Sequence, residues 1–202
     1  MARPLTPILS EKRILEAVRR LAIDGDFTLA QLARELDVRV SSIYHHVPSK
    51  AALVHLLRRD WIADLRSGLG DSAGRDRLSR IVHSYWEFAS GIPALVPLLV
   101  TEPLRDEELT WFYEELADTL HGIGVSDDRL LSIIGAIDGI VLGAAFDLIS
   151  PPFQAADADP GEYPRLAAAL TTLPEDADRR VHLGRTLDDI LTGLLRETPA
   201  GG

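Results

Sequence analysis

The sequence predicts an all-α protein in which a small N-terminal three-helix bundle precedes a larger helical domain. Apolar residues recur along nearly the whole chain at the i, i+3, i+4 spacing of an amphipathic helix, and we find no convincing alternation of the kind that a half-buried strand shows. Apolar residues make up 46% of the 202 residues, which is enough for a substantial core. The helices of the first 47 residues are short and the later ones are longer. We therefore expect one domain at residues 1–48 and a second at residues 49–202.

The first two helices are delimited by capping residues. Ser10 is a suitable N-cap, and the apolar positions that follow it lie on one helix face: Ile14, Ala17, Val18, Leu21 and Ala22. Asp24-Gly25 ends this helix, because glycine accepts the left-handed conformation found beyond helix ends. Thr28 and Gln31 form a T-x-x-Q capping box, which opens a second helix of about two turns.

A third short helix follows after a turn of only a few residues. Asp37-Val38 breaks the second helix, and the third runs from about Arg39 to His46. Pro48-Ser49 then starts a fourth helix. Two short helices separated by such a turn have the helix-turn-helix layout.

The remainder of the chain predicts seven helices. Glycine-rich turns at residues 68–74 and 121–124, and an acidic, proline-bearing loop at residues 150–161, separate some of them. The helices are predicted near residues 49–69, 75–90, 93–100, 104–122, 127–149, 161–172 and 175–196.

Composition excludes several classes of protein. The chain has no cysteine, which rules out disulfides, zinc–thiolate sites and thiol catalysis and fits a cytoplasmic location. The N-terminal residues lack the long apolar run of a signal peptide. The most apolar stretch, residues 133–149, is shorter than the roughly 20 residues that span a bilayer, and Asp138 and Asp147 interrupt it. We interpret it as a buried helix of a soluble protein and expect no membrane association.

Charge is distributed unevenly between the two predicted domains. The net charge is −10, yet residues 1–50 carry eight Lys and Arg against six Asp and Glu, whereas the remaining residues carry 13 against 25. A mildly basic N-terminal part on an acidic body is a weak indication of a nucleic-acid partner.

The segment SSIYHHVPSK, residues 41–50, carries the most informative pattern. His45 and His46 point about 100° apart on a helix, so they do not share a metal, and His55 lies beyond the break at Pro48. No nucleophile context surrounds the serines. A solvated helix end would not explain a short helix filled with hydrogen-bonding side chains in which only Val38, Ile43 and Val47 point inward. A helix that reads the major groove of DNA does explain it.

Three stretches of this region resemble the DNA-binding module of the TetR family of bacterial regulators. They are TLAQLARELDV at residues 28–38, SSIYHHV at residues 41–47 and PSKAAL at residues 48–53. The family pattern is matched at Thr28, Leu32, Ala33, Val38, Ile43, Tyr44, His46, Val47, Lys50 and Leu53. This combination is fairly specific, although residues 28–53 are a small part of the chain. The helical remainder has the length that the family's regulatory domain needs.

The resemblance implies a DNA-contacting role for nine residues. Those expected to face bases are Arg39, Val40, Ser41, Tyr44 and His45, and those expected to hold phosphates are Thr28, Ser42, Tyr44, His46 and Lys50. Alternatives stay open for three of them, since Tyr44 can be a packing residue, Thr28 a pure helix cap and Arg39 a solvated charge.

Three positions depart from the family pattern. Asp37 replaces the usual glycine, and aspartate tolerates the left-handed conformation. Arg39 replaces the usual serine cap, a loss of about 1 kcal/mol, and offers a possible base or phosphate contact. Ala52 replaces a common glutamate, so the fourth helix lacks a full capping box.

Two stripes in the body predict a homodimer interface. Gly135, Gly139 and Gly143 recur every four residues on one helix, where the missing side chains permit close approach. The last helix adds Leu187, Ile190, Leu191 and Leu194. The resemblance implies that these two helices pair across a two-fold axis as a four-helix bundle. The alternative is that both stripes face the core of their own chain.

Aromatic and polar residues in the middle of the chain predict a ligand pocket, which is typically apolar with a few polar groups. The candidates are Trp61, His83, Trp86, Glu87, Trp111, Phe112, Asp138 and Phe146. The aromatics are alternatively plain core residues. Asp138 is alternatively an interface acid that pairs with Arg129 or with an arginine of the last helix. His83 and Glu87 could form half of a metal site, but no third ligand is in view and no metal or cofactor is expected.

Together these features predict a cytoplasmic, homodimeric transcriptional regulator, with a repressor favoured over an activator. It would bind a palindromic double-stranded DNA operator and be released by a small organic effector. One alternative is a small all-helical enzyme with an acidic and aromatic pocket, although no catalytic set of residues is complete. The other is a helical protein-interaction module.

Overall fold

A computed structural model describes residues 9–102, 106–151, 159–172 and 178–196. Within these ranges the secondary structure consists of ten α-helices and one short 3₁₀ turn, with no strand. The all-α prediction is confirmed.

Three short helices form the N-terminal part: α1 (Glu11–Asp24), α2 (Leu29–Glu35) and α3 (Val40–His46). The predicted caps are present, because Ser10 accepts a hydrogen bond from the Arg13 amide. Thr28 and Gln31 make both bonds of a capping box. Asp37 adopts φ 53°, which is the left-handed conformation expected where the family has glycine. Local sequence signals therefore place all three helices.

A long helix, α4 (Lys50–Leu69), leads from this bundle into the body. The Ser49 hydroxyl caps it by accepting from the Ala52 amide at 3.1 Å. Leu53, Val54 and Leu57 on α4 are fully buried. The apolar core runs through them without interruption from α1 to the body helices. The domain division at residue 48 stays a prediction.

The body consists of the later helices and one 3₁₀ turn. They are α5 (Gly74–Ser90), the turn Pro93–Leu95, α6 (Val96–Thr101), α7 (Glu107–Gly122), α8 (Asp127–Asp147), α9 (Pro164–Thr172) and α10 (Arg179–Arg196). The single helix predicted near residues 93–100 is thus divided. Pro97 stands in the first turn of α6, where its missing N–H costs no intrahelical hydrogen bond but cannot continue the preceding turn. α5 packs against α4, α7, α8 and α10, and α8 packs against α5, α6, α7 and α10.

The most apolar helix is more exposed than the sequence suggested. α8 has 21 residues and is long and apolar enough to cross a membrane, and only 28% of its most apolar stretch is buried. The predicted helix near residues 127–149 is present, but the expectation that its apolar stretch is buried is corrected. Ile133, Ile137 and Val141 face the core, whereas Gly135 and Gly139 are exposed. A core helix passes the same length and composition test, so this property alone is weak evidence for a membrane.

Candidate nucleic-acid interface and internal cavity

Helix α3 has one buried side and one exposed polar side. Ile43 and Val47 are fully buried, whereas Tyr44 is 52% exposed and Val40 39% exposed. Arg39, Ser41, His45 and His46 are exposed too, and Ser42 is half-buried. The exposed side therefore offers a guanidinium, hydroxyls and imidazoles, which are groups that hydrogen-bond to base edges and phosphates.

Backbone hydrogen bonds join the turn before α3 to the end of α2. The Val38 amide donates to the Ala33 carbonyl at 3.0 Å, and the Asp37 amide donates to the Arg34 carbonyl at 3.1 Å. Arg39 occupies the N-cap position of α3 without a side-chain capping bond. The Arg39 side chain therefore does not cap the helix. Both sequence-based interpretations of Arg39, a DNA contact and a solvated charge, stay open.

The lysine predicted to hold a phosphate already has an anionic partner. Lys50 Nζ forms an ion pair with Asp26 and lies 5.1 Å from the centre of the Phe27 ring. The hydrogen bond from Lys50 lowers the pKa of Asp26 below its ordinary value of 3.8. A phosphate at Lys50 therefore competes with the Asp26 carboxylate. This ion pair was not predicted from the sequence, because the two residues are 24 positions apart.

Two ion pairs join α1 to α4. Arg19 Nη2 lies 2.7 Å from Asp60 Oδ2, and Arg59 Nη2 lies 2.5 Å from Glu11 Oε2. α1 also packs against the Pro93–Leu95 turn. The position of the N-terminal bundle is thus coupled to that of α4.

The interior of the body contains a small aromatic cavity of about 30 Å³ between α4, α5, α7 and α8. Trp61 stacks on Phe88, with ring centres 4.6 Å apart, and Phe112 lies 4.9 Å from Trp61. The lining residues are Arg58, Trp61, Tyr85, Phe88, Leu99, Leu109, Phe112, Tyr113 and Leu142. Of the predicted pocket residues, Trp61 and Phe112 are in this cavity.

Arg58 is a buried cation in this lining that the sequence reading missed. It is 3% exposed, and its Nη2 donates to the Leu99 carbonyl at 2.7 Å. Its Nη1 is buried without a hydrogen-bond partner and lies 4.0 Å from Asp106 Oδ2. The helical period could have predicted this burial. Arg58 lies four residues after Val54 and three before Trp61, on the apolar side of α4.

Asp138 contacts the cavity lining through Tyr113. Tyr113 donates to Asp138 Oδ2 at 3.0 Å, whereas Asp138 Oδ1 is buried and has no hydrogen-bond partner. Burial raises the pKa of Asp138 above its ordinary value of 3.8. Burial also raises the pKa of Tyr85 and of Tyr113. The hydrogen-bond partner of Asp138 in the described structure is therefore Tyr113, and no described arginine pairs with it.

The other predicted pocket residues lie elsewhere, which corrects the idea of one shared site. His83, Trp86 and Glu87 line a surface groove of about 350 Å³ between α5 and α10. Glu87 forms an ion pair with Arg180 there. Trp86 packs against α10 so closely that a Cβ on Gly184 would lie 2.9 Å from its Nε1. Helical period places residues on a face but does not say which helix covers that face.

Two further aromatics are outside the cavity. Trp111 lies under the Arg66 guanidinium, 4.3 Å from the ring centre, and Phe146 is 45% exposed on α8. Within the described ranges no three His, Asp or Glu side chains converge as metal ligands would.

The predicted interface stripes differ in exposure. A Cβ built on Gly135, Gly139 or Gly143 meets no atom within 4 Å, and all three glycines are exposed. On α10, Ile190 is 39% exposed, but Leu187 and Leu191 are only 2% and 7% exposed. These two leucines face the core of their own chain, so their assignment to the interface is corrected. The side chain of Leu194 lies outside the described part.

Comparison with known proteins adds sequence and structural relatives. No protein-family model matches the chain. Over 145 residues it is 27% identical to the HTH-type transcriptional repressor DrrR1 of Streptomyces coeruleorubidus, an alignment covering 69% of this chain and 53% of that protein. The chain thus spans about half the length of the curated relative that it matches.

Two solved structures from Streptomyces coelicolor share the fold. A transcriptional regulator that is a TetR has 21% identity and a TM-score of 0.57, with 95% of this chain and 100% of that one covered. The TetR family protein ActR, in complex with (S)-DNPA, has 16% identity and a TM-score of 0.60, with 95% and 99% covered. These relatives are regulators, and they give the enzymatic alternative no support.

Proposed function

We propose that this chain, which has the fold of the TetR family and resembles it in sequence, is a ligand-responsive transcriptional regulator. It binds a palindromic DNA operator as a cytoplasmic homodimer and acts as a repressor. Repression is favoured because the curated relative with 27% identity is a repressor.

The observation that carries this proposal is the two-sided helix α3. Its apolar side, Ile43, is buried against the bundle, whereas Tyr44 and His45 are exposed. Tyr44 and His45 place a phenol and an imidazole on this exposed side, and both groups can hydrogen-bond to base edges and phosphates. Base and phosphate contacts in the major groove use such a surface.

Dimerisation supplies the second half-site contact. A single helix-turn-helix reads one half-site, and two copies on a two-fold axis read two that are about 34–36 Å apart. The glycine stripe of α8 is exposed and open, and Leu131 near its start is 83% exposed. An exposed apolar face of this kind is typical of a protein–protein interface. It supports α8 as the principal dimer contact.

Control by an effector depends on α4. This helix contributes Arg58 and Trp61 to the cavity and Arg59 and Asp60 to the ion pairs with α1. A cavity of about 30 Å³ is far below the roughly 300 Å³ of a small ligand site, so an effector must separate its walls. Displacement of α4 then changes the spacing of the two DNA-binding bundles. A hundredfold release requires an effector that favours the displaced form by about 2.7 kcal/mol.

Selection of duplexes from a random pool tests this function directly. The purified protein should enrich a palindrome with half-sites about one helical turn apart, and its affinity should fall steeply with salt. Enrichment of no sequence, or of a single asymmetric half-site, contradicts the proposal.

A further inference from the structure

The cavity has one charged side chain among its described lining residues, and that side chain is Arg58. An arginine buried to 3% exposure is expensive unless all its donors are paired. Nη2 is satisfied by the Leu99 carbonyl, but Nη1 has no hydrogen-bond partner. The guanidinium therefore presents an unused donor in a cavity lined by leucines and aromatic rings.

The neighbouring carboxylate does not meet this need. Asp106 Oδ2 is 4.0 Å from Arg58 Nη1, which is too long for a hydrogen bond. The same oxygen makes a 2.7 Å contact with His55 Nδ1. Asp106 is thus shared with a second basic side chain, and its Oδ1, like Arg58 Nη1, is buried without a hydrogen-bond partner. Of these two groups Arg58 lines the cavity, so its unused donor is the one that a ligand in the cavity would meet.

The walls of the cavity specify the remainder of the ligand. The rings of Trp61 and Phe88 are nearly parallel, 6° apart, and Tyr85 stacks on Trp61 at 5.4 Å. Leu99, Leu109 and Leu142 complete an apolar surface. Flat aromatic groups pack well in such surroundings.

We propose, on the basis of the regulator function above, that the effector is an aromatic carboxylate whose carboxylate binds the Arg58 guanidinium. Because Trp61 already stacks on Phe88 and the cavity holds about 30 Å³, the ring system of the effector must part these rings to enter. A carboxylate accepts from the planar guanidinium with short, charge-assisted hydrogen bonds, which a neutral amide does not make. An organic cation is disfavoured because the charged lining group is positive. Asp138 is not a lining residue, and its Oδ2 already accepts from Tyr113.

Binding at Arg58 also bears on regulation. Arg58 holds the Leu99 carbonyl of α6, and Asp106 is the N-cap residue of α7. A carboxylate that draws the guanidinium toward itself loosens α4 from both helices. This is the displacement that the proposed release from DNA requires.

The test uses 2-naphthoate and its neutral and cationic counterparts, 2-naphthamide and 2-naphthylmethylamine, with the full-length protein in titration calorimetry. We expect 2-naphthoate to bind at least about tenfold more tightly than the amide, as a charge-assisted bond predicts. Equal or weaker binding of 2-naphthoate, no binding, or preference for the amine overturns the inference. This comparison needs no variant.

Substitution of Arg58 then tests whether the preference for the carboxylate depends on this residue. Arg58→Gln should abolish the advantage of 2-naphthoate over 2-naphthamide, whereas Arg66→Gln, an exposed arginine on the same helix, should keep it. If Arg58→Gln does not fold, Arg58→Lys should retain a reduced preference. A preference that survives either change at Arg58 undiminished overturns the inference. Operator selection is carried out without any of these compounds. It therefore tests DNA binding independently, and a failed titration would overturn the effector class alone.

Discussion

Ile43 and Tyr44 are neighbours on α3, yet Ile43 is fully buried and Tyr44 is 52% exposed. The helix therefore separates its stabilising residues from those available to a partner within one step of the chain. Substitutions at these two positions should have different effects.

We expect Tyr44→Ala to weaken operator binding at least about tenfold, as loss of a good base or phosphate contact does, without changing the free energy of unfolding. Ile43→Ala should cost about 2–5 kcal/mol of stability, because it leaves a cavity in the small bundle. Urea denaturation and fluorescence anisotropy with the selected duplex measure the two quantities. Wild-type affinity for Tyr44→Ala would contradict the interface.

The Lys50–Asp26 pair predicts an unusual gain of affinity. Asp26→Asn should strengthen DNA binding several-fold, because the phosphate no longer competes with a carboxylate for Lys50. Lys50→Met should weaken binding to all duplexes and reduce the salt slope by about 0.9. Glu16→Gln, which removes one exposed negative charge elsewhere on the bundle, is the control. If it matches Asp26→Asn, the gain reflects net charge rather than release of Lys50.

The open glycine stripe on α8 predicts that a bulky charge separates the dimer. Gly139→Arg should yield a folded monomer, since nothing within 4 Å obstructs the side chain and arginine favours a helix over glycine by about 0.8 kcal/mol. Light scattering reports the mass. Gly68→Arg, at another open helical glycine, should stay dimeric. A persistent dimer in Gly139→Arg would place the interface elsewhere.

The buried carboxyl of Asp138 predicts a pH dependence of stability. Because burial raises its pKa above 3.8, the folded protein binds this proton more tightly than the unfolded chain does. Its stabilising contribution is present in acid and is lost as pH rises through the folded-state pKa. Urea unfolding from about pH 4 to about pH 8 should show wild type losing stability relative to Asp138→Asn. If the difference in free energy of unfolding between wild type and Asp138→Asn is constant with pH, or changes in the opposite direction, Asp138 does not hold this proton.

The sequence alone predicted most of the secondary structure and the orientation of α3. Its signals are local, since the Thr28–Gln31 capping box acts over three residues and the apolar period of Ile43 and Val47 over four. The resemblance to the TetR family, carried by the same region, agrees with the observed fold. No contact with a distant helix was needed to place these residues.

Tertiary packing alone decided which distant residues meet. Periodicity marked α10 as amphipathic but left open whether Leu187 faced its own core or a second chain, and the helix packing buried it. Likewise Arg58 reaches Leu99, and Lys50 reaches Asp26, only because the connecting turns bring separate helices together. A side chain's helical face follows from its own neighbours in sequence, whereas its partner across a helix interface depends on how the whole core is filled.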